Sequence, residues 1–552
     1  MTRMAVIGID GGTFKVINRL RRKGRLPVLN NLMERGAHGI LYSTDPPLSA
    51  VAWPTITTGA DPGRHGVFAF HQRRPDSYHY GLITSRSIRA PRLWNIVNQH
   101  GLRTGLVNIP VTYPPEKVDG YMITGMLTPS SSVIFTHPPG LHGELLAGTG
   151  CFPLERGFLS RYRAGGRAEA LAGLFDLTRA QTDTMLYLLK KHPCEFFMGV
   201  YRATDLVQHV IGKFWRKRAR ERHRTEYRKF GRMIDLMYEE IDLQMGRLLA
   251  VLPSDCTVMV ISDHGAGPMR GQFYVNRWLM EHGWLRLVSA VDGITGAAAE
   301  WRRPDEVLRR LRELGKVKLP EMAARRFEAT AGWEERLVDW RRTVAYASWR
   351  GNQVVAVRIN LTGREPCGIV APGAAAEALL DLMAQALGDI RLPDGRPLFT
   401  SILRGSELYR GDLVESGPDL VAIPRGYSFN CVGRLDGSPS LTFSSGLNAQ
   451  HRRDGILIAA GPGIRRGAKP SGAKVTDVAP TALRCLGIPT PATMDGHVLD
   501  ALLEVSELPV ITETHDAPAA GPATMRPTDQ EVYSEAEQKE LEEHLRDLGY
   551  LD

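Results

Sequence analysis

The sequence predicts an α/β protein in which a mainly parallel central sheet is covered by helices on both faces. Two observations predict this class: short apolar runs recur along the chain, and helical patterns separate them. Runs that are apolar throughout, rather than at alternate positions, are typical of strands buried on both faces. The predicted strands are Met4–Ile9, Ala37–Ser43, Thr104–Ile109, Tyr121–Thr124, Glu195–Tyr201, Cys256–Ser262 and Gly455–Ala460.

Helical patterns lie between these strands. Pro91–His100 is amphipathic and ends before a glycine, and Ala168–Lys191 also has a helical pattern. A long helix is predicted over Tyr227–Leu252. Phe14–Gly36 is predicted to be helical with an interruption near Pro27, because proline disfavours a helix interior.

The length and composition are those of a globular protein. At 552 residues the chain can form one large domain with insertions, or two to three units. Its 43% hydrophobic and 23% charged residues are typical of soluble proteins. No apolar run reaches the roughly 18 residues that a membrane span needs, and the run near the start is too short for a signal peptide. We therefore expect no membrane span.

The cysteines indicate neither a zinc ribbon nor a disulfide framework. They are scattered, without a Cys-x-x-Cys pair, at Cys151, Cys194, Cys256, Cys367, Cys431 and Cys485. A reducing compartment, the cytoplasm, is therefore the expected location.

The net charge of +9 favours anionic partners. No motif for DNA or RNA recognition is present, so nucleic acid is not expected as a structural partner. Much of the charge lies in Lys213–Arg232, which carries ten Lys/Arg and two Glu residues. Such a segment forms a solvated surface or attracts anions to a nearby site, and both interpretations stay open.

The chain is predicted to comprise five segments. Residues 1–292 and 340–510 form the two parts of the α/β core, and the second part completes the site. Residues 293–339 lack strand patterns and carry many arginines, which indicates an inserted helical subdomain. Residues 511–530 form a Pro/Ala-rich linker, and residues 531–552 form an amphipathic helix.

The C-terminal helix is predicted to begin with a capping box formed by Ser534 and Glu537. Leu541, Leu545 and Leu548 fall on one face of this helix. Because an apolar face has to be covered, we expect the helix to dock on the body of the chain or on a second subunit of a homo-oligomer.

The stretch Pro46–Gly66 (PPLSAVAWPTITTGADPGRHG) places Ser49 at the expected N-cap of a short helix, with Gly59 at its C-cap. A hydroxyl at a helix N-terminus faces unpaired N–H groups and the positive end of the helix dipole, so it suits an anion. An ordinary capping serine is the alternative. Pro54 would cost this helix a hydrogen bond, so a kink or a later start is expected.

Carboxylates and imidazoles lie at or just beyond the ends of several predicted strands. Ligands bind at the carboxyl ends of the strands in open α/β sheets, so these side chains are expected to converge. Taken singly, each has a simpler interpretation as a turn residue or a surface contact. The candidates are Asp10, Asp205 and His209 four residues apart on one helix face, Asp263, His264, and His451 just before a strand.

Together with Ser49, these candidates provide three Asp, three His and one Ser, with no cysteine. Oxygen and nitrogen ligands of this kind suit two divalent ions such as Zn²⁺ or Mn²⁺. Two such ions about 4 Å apart can clamp a phosphoryl group during in-line displacement.

The chain resembles the nucleotide pyrophosphatase/phosphodiesterase branch of the alkaline phosphatase superfamily. The resemblance extends from about Met4 to Leu502, and the terminal LRDLGYL is similar to bacterial members. Seven blocks occur in the order of that family: VIGIDGG, PPLSAVAWPTITTG…PGRHG, ATDLVQH, ISDHG, INLTGREPCGIV, GLNAQHRRDGILIAAGPG and VTDVAPTALRCLGIP.

The resemblance implies that Ser49 is the nucleophile, accepts the phosphoryl group covalently and is also a ligand of one metal. It implies two divalent ions, Zn²⁺ first and Mn²⁺ as the alternative, and a small anionic phosphoester substrate. The ligands of the nucleophile-side metal would be Asp10, Asp263 and His264, and those of the second metal Asp205, His209 and His451.

The chain departs from the family at two positions. One is the nucleophile, which is Ser49 where threonine is common in those enzymes, a chemically conservative change. Animal members carry an asparagine that contacts the phosphate where this chain has Phe70, so a nucleotide substrate is not implied directly. Sulfatases of the superfamily need a Cys or Ser followed by x-Pro-x-Arg, which is missing after Ser49. Trp53, Arg64 and Phe70 are the candidate substrate contacts.

The expected function is therefore a two-metal phosphodiesterase or pyrophosphatase acting through a phosphoseryl intermediate on Ser49. A phosphomonoesterase or phosphotransferase on the same site is the alternative. An alternative of another class is a catalytically idle scaffold or a protein that binds anionic ligands.

Overall fold

The computed structural model describes most of the chain. The predicted insertion (293–339) lies outside the described residues except for residues 337–339, and the predicted linker (511–530) lies wholly outside them. The described residues are 1–74, 76–130, 133–150, 154, 157–288, 337–349, 351–435, 439–443, 449–504, 508–509, 532–548 and 550.

An eight-stranded sheet forms the centre of the molecule, and its mainly parallel character confirms the predicted fold class. Six strands run in one direction, while Asp454–Ala460 and Thr136–His137 run in the other. Across the sheet the order is Ala37–Tyr42, Asp454–Ala460, Thr257–Ile261, Met4–Ile9, Phe196–Tyr201, Thr104–Ile109, Gly120–Thr124 and Thr136–His137.

The inner strands are buried on both faces. Every residue of Met4–Ile9 is buried, and its side chains alternate between two hydrophobic clusters. Ala5, Ile7 and Ile9 belong to the larger cluster, whereas Met4 and Val6 belong to the cluster on the other face. This two-residue alternation, with apolar cover on both sides, explains why the predicted strands are continuous apolar runs.

Helices cover the sheet. Two of them divide Phe14–Gly36, and Pro27 begins the second, where a missing N–H costs nothing. The described α-helices are Phe14–Arg21, Pro27–Arg35, Ser49–Thr58, Pro62–His65, Leu93–Gln99, Leu141–Thr149, Phe158–Arg163, Arg167–Lys191, Ala203–Ile211, Lys217–Arg222, Arg224–Phe230, Met233–Leu249, Val275–Glu281, Ala374–Gly388, Gly405–Leu408, Val478–Leu486 and Glu535–Leu548.

The arginine-rich segment differs from its prediction. The single helix expected over Tyr227–Leu252 is divided at Gly231, so that Arg224–Phe230 and Met233–Leu249 are separate helices. Neither Arg224–Phe230 nor the helix before it, Lys217–Arg222, has a buried residue. This part of the charge run faces solvent.

Two four-stranded sheets, one antiparallel and one that also contains a parallel pair, form a second region that the sequence patterns did not indicate. Phe273, Val357 and Met383 share one hydrophobic cluster there, to which the helix Ala374–Gly388 contributes. One four-stranded sheet contains Ala345–Ala347, Val355–Ile359, Leu420–Pro424 and Phe399–Arg404, and the other contains Gly351–Asn352, Phe429–Val432, Gly271–Tyr274 and Leu441–Thr442.

Two short strand pairs complete the described sheet structure. His71–Arg73 pairs with Tyr80–Leu82 in a hairpin. Gly265–Pro268 pairs with Ala449–Arg452, with Ala266 opposite His451. The first strand of this second pair begins directly after His264, and the other strand contains His451. The pairing therefore brings these two candidate ligands close together.

The C-terminal helix packs on the body of its own chain. Its capping box is formed, because Ser534 N–H donates to Glu537 Oε2 at 2.9 Å and Glu537 N–H donates to Ser534 Oγ at 3.3 Å. Leu541 and Leu545 are buried in the main hydrophobic cluster. We expected this apolar face to dock on the body of the chain or on a second subunit. The structure shows it packed on the body of its own chain.

Among the residues that the structure describes, no helix has both the length and the apolar character needed to cross a membrane.

Candidate metal centre and nucleophile

Ser49 is the first residue of the helix Ser49–Thr58, and Leu48 is its N-cap. The prediction that Ser49 caps this helix is therefore wrong: the Leu48 carbonyl accepts the first hydrogen bonds, from Val51 and Ala52 N–H at 2.8 Å. The helix does not start later, and it contains Pro54 in its interior. Because its side chain has no capping role, the Ser49 hydroxyl is available to the site.

The Ser49 hydroxyl is fully buried among charged and polar groups. Its Oγ lies 3.0 Å from His264 Nε2 and 3.5 Å from Asp10 Oδ1. Asp10 follows the strand Met4–Ile9, and His264 follows Thr257–Ile261, which is the neighbouring strand. Adjacent carboxyl ends of parallel strands thus bring these groups together, as expected for this class of sheet.

Asp10 is oriented by two donors. Trp53 Nε1 and Arg202 Nε each donate to Asp10 Oδ2 at 3.1 Å. Its other oxygen, Oδ1, faces Ser49 and His264. One carboxylate oxygen is therefore held by the protein, and the other is left for a ligand of the site.

We call Ser49, Asp10, Asp263 and His264 the first ligand set, because the resemblance assigns them to one metal. The structure brings the donor atoms of Asp10, Asp263 and His264 within 4.8 Å of one another. His264 Nε2 lies 3.6 Å from Asp10 Oδ1 and 3.2 Å from Asp263 Oδ2. Asp263 Oδ1 accepts from Gly11 N–H at 3.2 Å, whereas its buried Oδ2 has no hydrogen-bond donor in the described part of the chain. An unsatisfied buried carboxylate oxygen that faces an imidazole nitrogen is a natural position for a cation.

We call Asp205, His209 and His451 the second ligand set, because the resemblance assigns them to the second metal. The structure also groups Asp205 and His451 with His264, whose donor atoms all lie within 4.8 Å of one another. Asp205 and His209 lie on the helix Ala203–Ile211, on the one face that their spacing predicts. His209 Nε2 is 3.2 Å from Asp205 Oδ1 and 3.2 Å from His451 Nε2, and His451 Nε2 is 3.5 Å from Asp205 Oδ1.

These separations match those of ligands on one metal ion. Four ligands at about 2.1 Å from a tetrahedral ion lie about 3.4 Å from one another. Seven pairs of donor atoms within the two sets lie between 3.0 and 3.6 Å apart. The two sets adjoin, because the rings of His264 and His451 stack with centroids 3.5 Å apart.

Backbone carbonyls fix the tautomers of two histidines. His451 Nδ1 lies 2.8 Å from the Pro47 carbonyl oxygen, and His264 Nδ1 lies 2.9 Å from the Gly265 carbonyl oxygen. A carbonyl can only accept, so Nδ1 carries the proton in both rings and Nε2 presents its lone pair to the site. Metal-ligating histidines need this arrangement.

The charge balance of the site also favours cations. Three buried carboxylates, Asp10, Asp205 and Asp263, are accompanied by one guanidinium, that of Arg202. Burial, together with the charges of Asp10 and Asp205, raises the pKa of Asp263 well above its usual value. Burial, with a contribution from His264, lowers the pKa of His451 to about 3, so this ligand is neutral. The residues present therefore fit two divalent ions.

The three candidate substrate contacts lie in different settings. The Trp53 indole is buried and donates to Asp10. The Arg64 guanidinium forms a two-point ion pair with Asp495, at 2.9 and 3.0 Å. Phe70 is buried, and its ring stacks on Tyr550 with centroids 4.9 Å apart. A substrate role for these residues stays a prediction.

Sequence reasoning missed two residues of the site. Arg202 precedes the helix Ala203–Ile211 and contacts both Asp10 and Asp205. Tyr550, near the C-terminus, donates a hydrogen bond to Asp205 Oδ2 at 2.5 Å. The terminal LRDLGYL contained a signal for Tyr550, since the resemblance extended to it.

His65, next to Arg64, makes the stability of the protein depend on pH. Its Nδ1 accepts from Val67 N–H at 3.2 Å, so Nε2 donates to Thr55 Oγ1 at 2.9 Å and the ring is neutral. Burial lowers the pKa of His65 from about 6.5 to about 3. Below pH 6.5 the unfolded chain therefore binds a proton that the folded one does not.

We expect His65 to cost about 1.4 kcal/mol of unfolding free energy for each pH unit below about 6.5. Urea denaturation of the wild type and of His65→Gln at pH 7.5, 6.5 and 5.5 measures this cost. The free energy of the variant should fall less steeply with acidification, and parallel curves would contradict the assignment.

The sequence matches the profile of the family described as type I phosphodiesterase / nucleotide pyrophosphatase over residues 4–426. The chain belongs to this family. The match ends before His451, so the place of His451 in the site rests on the geometry above. No curated protein sequence matches the chain significantly.

Solved structures show the same fold at low sequence identity. Phosphonoacetate hydrolase from Sinorhizobium meliloti 1021, in complex with phosphonoacetate, is 13% identical with a TM-score of 0.53, covering 87% of this chain and 95% of the hydrolase. An inactive form of murine ectonucleotide pyrophosphatase / phosphodiesterase 5, in complex with AMP, is 13% identical with a TM-score of 0.51, covering 91% of this chain and 100% of that one. These similarities show an alkaline phosphatase-like fold, and the family makes this chain a phosphoester hydrolase.

Proposed function

We propose that the protein is a two-metal-dependent phosphodiesterase or pyrophosphatase that acts through a covalent phosphoseryl intermediate on Ser49. The observation that carries this proposal is the position of Ser49 Oγ, within 3.0 Å of His264 Nε2 and 3.5 Å of Asp10 Oδ1. A hydroxyl that belongs to one ligand set and adjoins a second can act both as ligand and as nucleophile.

The chain's own residues account for attack and orientation. Ser49 Oγ attacks phosphorus, its bond to phosphorus forms as the bond to the leaving oxygen breaks, and water releases the phosphoryl group in a second displacement. When bound, the two ions would lower the pKa of the serine hydroxyl and of water and would neutralise the phosphate oxygens. Arg202 keeps Asp10 in place through Oδ2.

Zn²⁺ is the proposed metal, with Mn²⁺ as the alternative. Asp10, Asp263 and His264 with Ser49 would hold one ion, and Asp205, His209 and His451 would hold the other. The ligand atoms are carboxylate oxygens, imidazole nitrogens and one hydroxyl, which both metals accept. Zn²⁺ is preferred because three of the donors are imidazole nitrogens, which suit Zn²⁺ better than Mn²⁺.

We expect greater activity on phosphodiesters than on phosphomonoesters. The family, described as type I phosphodiesterase / nucleotide pyrophosphatase, supports this preference. Phe70 bears only on whether the preferred diester carries a nucleotide. Values of kcat/KM for matched aryl phosphodiesters and monoesters, with Ser49→Ala as the background, measure the preference. Faster hydrolysis of the monoester would favour the phosphomonoesterase or phosphotransferase alternative.

The alternative of another class is an idle scaffold or a protein that binds anionic ligands through Lys213–Arg232. The exposed helices Lys217–Arg222 and Arg224–Phe230 are the observation that favours it. Anion binding through this segment predicts a steep salt dependence that leaves hydrolysis unchanged. Elemental analysis separates the classes, since an idle scaffold need not retain divalent metal.

The cytoplasm is the proposed location, supported by five cysteines among the described residues that form no disulfide bond: Cys194, Cys256, Cys367, Cys431 and Cys485. A homo-oligomer formed through the C-terminal helix stays an open prediction. The buried face of that helix is already covered by its own chain, so another face would have to form the contact.

A further inference from the structure

Tyr550 brings the C-terminal segment into the metal centre. Its side chain is buried, and its hydroxyl donates to Asp205 Oδ2 at 2.5 Å. The ring lies 5.2 Å from that of His209 and 5.3 Å from that of His451, edge to face in both cases. Tyr550 therefore contacts every member of the second ligand set.

The contacts of Tyr550 parallel those of Trp53 on the other side of the site. Trp53 donates to Asp10 Oδ2, which leaves Oδ1 facing the first ligand set. Tyr550 donates to Asp205 Oδ2, which leaves Oδ1 facing His209 and His451. In both cases one oxygen of a carboxylate is held by an aromatic side chain and the other is directed to the ligand set.

The segment that carries Tyr550 is firmly docked. Leu541, Leu545, Tyr533 and Tyr550 all belong to the main hydrophobic cluster, and Tyr533 donates to the Leu127 carbonyl at 2.9 Å. Burial of these large apolar side chains stabilises the docking of the segment. The structure therefore holds this segment against the body of the chain at the site.

We propose that Tyr550 is a positioning residue of the second metal site, supplied by the C-terminal segment. Its hydroxyl keeps Asp205 turned so that Oδ1 meets His209 and His451, and its ring, stacked on Phe70, closes one side of the site. This inference rests on the proposed two-metal function. Hydrogen bonds to metal-ligating carboxylates typically contribute 10- to 100-fold to metal affinity.

The test compares Tyr550→Phe with Tyr533→Phe in the full-length chain. Both changes remove one buried hydroxyl from the same segment, but only Tyr550 contacts a metal ligand. Competition with a chromophoric chelator measures Zn²⁺ affinity, without reference to activity. In Tyr550→Phe we expect one of two Zn²⁺ ions to bind 10- to 100-fold more weakly, while the other ion keeps its affinity.

Kinetics give the second measurement. At limiting Zn²⁺ the kcat of Tyr550→Phe should fall about tenfold or more and should recover with excess Zn²⁺, while Tyr533→Phe behaves as the wild type. Wild-type Zn²⁺ affinity in Tyr550→Phe would overturn the inference, and a rise in activity would show that Tyr550 is instead an inhibitory plug. If the wild type binds Zn²⁺ and hydrolyses phosphoesters, and Tyr550→Phe has the same Zn²⁺ affinity and activity, the role of Tyr550 is wrong but the proposed function stands. If the wild type binds no divalent ion, both the role of Tyr550 and the proposed function are wrong.

Discussion

Replacement of Ser49 by alanine should abolish phosphoester hydrolysis while the protein keeps its metal. Loss of a nucleophile in covalent hydrolases lowers kcat by several orders of magnitude, and we expect a decrease of about 10⁴-fold or more. The ions should stay, because three other ligands remain in the first set and the second set is unchanged. Steady-state kinetics and elemental analysis of the same preparation measure both quantities.

Ser49→Thr is the matched control. It keeps a hydroxyl at the same position, and threonine is the nucleophile in many enzymes that the sequence resembles. We expect activity well above that of Ser49→Ala, reduced by the cost of placing a methyl group in a fully buried position. Full activity in Ser49→Ala would rule out the serine mechanism.

Removal of metal should have an effect of comparable size. Stripping with a chelator should abolish hydrolysis, and re-addition of Zn²⁺ or Mn²⁺ should restore it. Because the ions bind the folded state, their removal should also lower the melting temperature; at 100 to 1,000 times Kd each ion contributes about 3 to 4 kcal/mol. Calorimetry of stripped and reloaded protein measures this contribution.

Single ligand variants separate the two sites. Asp263→Asn should bind one ion fewer than the wild type, because it removes a negative charge from the first set, whereas Ser49→Ala removes only a neutral hydroxyl. Asp205→Asn should likewise lose the ion of the second set. Two ions in the wild type and one in each variant is the expected stoichiometry. One ion in the wild type, or no change in either variant, would contradict the two-site arrangement.

The parallel sheet could be predicted from the sequence because its strands are buried on both faces and end at polar residues. Met4–Ile9 is bounded by Asp10, and the structure has the same limits. The predicted convergence of Asp10, Asp205 and Asp263 followed from the rule that ligands meet at carboxyl strand ends. The sequence therefore predicted that these carboxylates lie at the carboxyl edge of the sheet.

The smaller sheets and the position of Tyr550 could not be predicted, because they depend on contacts between distant parts of the chain. The strand Gly271–Tyr274 pairs with Phe429–Val432, and no local pattern encodes such a partner. Tyr550 meets Asp205 across 345 residues, although the amphipathic pattern before it predicted a docked helix. The capping role assigned to Ser49 was wrong for a local reason. The helix begins at Ser49, and the Leu48 carbonyl already accepts from Val51 N–H, a donor that a side-chain cap would otherwise satisfy.

The stereochemical course at phosphorus tests the central claim most directly. Each in-line displacement inverts the configuration, so attack by Ser49 followed by attack of an acceptor gives net retention. A substrate with an isotopically chiral phosphorus, transferred to an acceptor alcohol and analysed by phosphorus NMR, reports the outcome. We predict retention, and inversion would show direct attack on the substrate without a phosphoseryl intermediate.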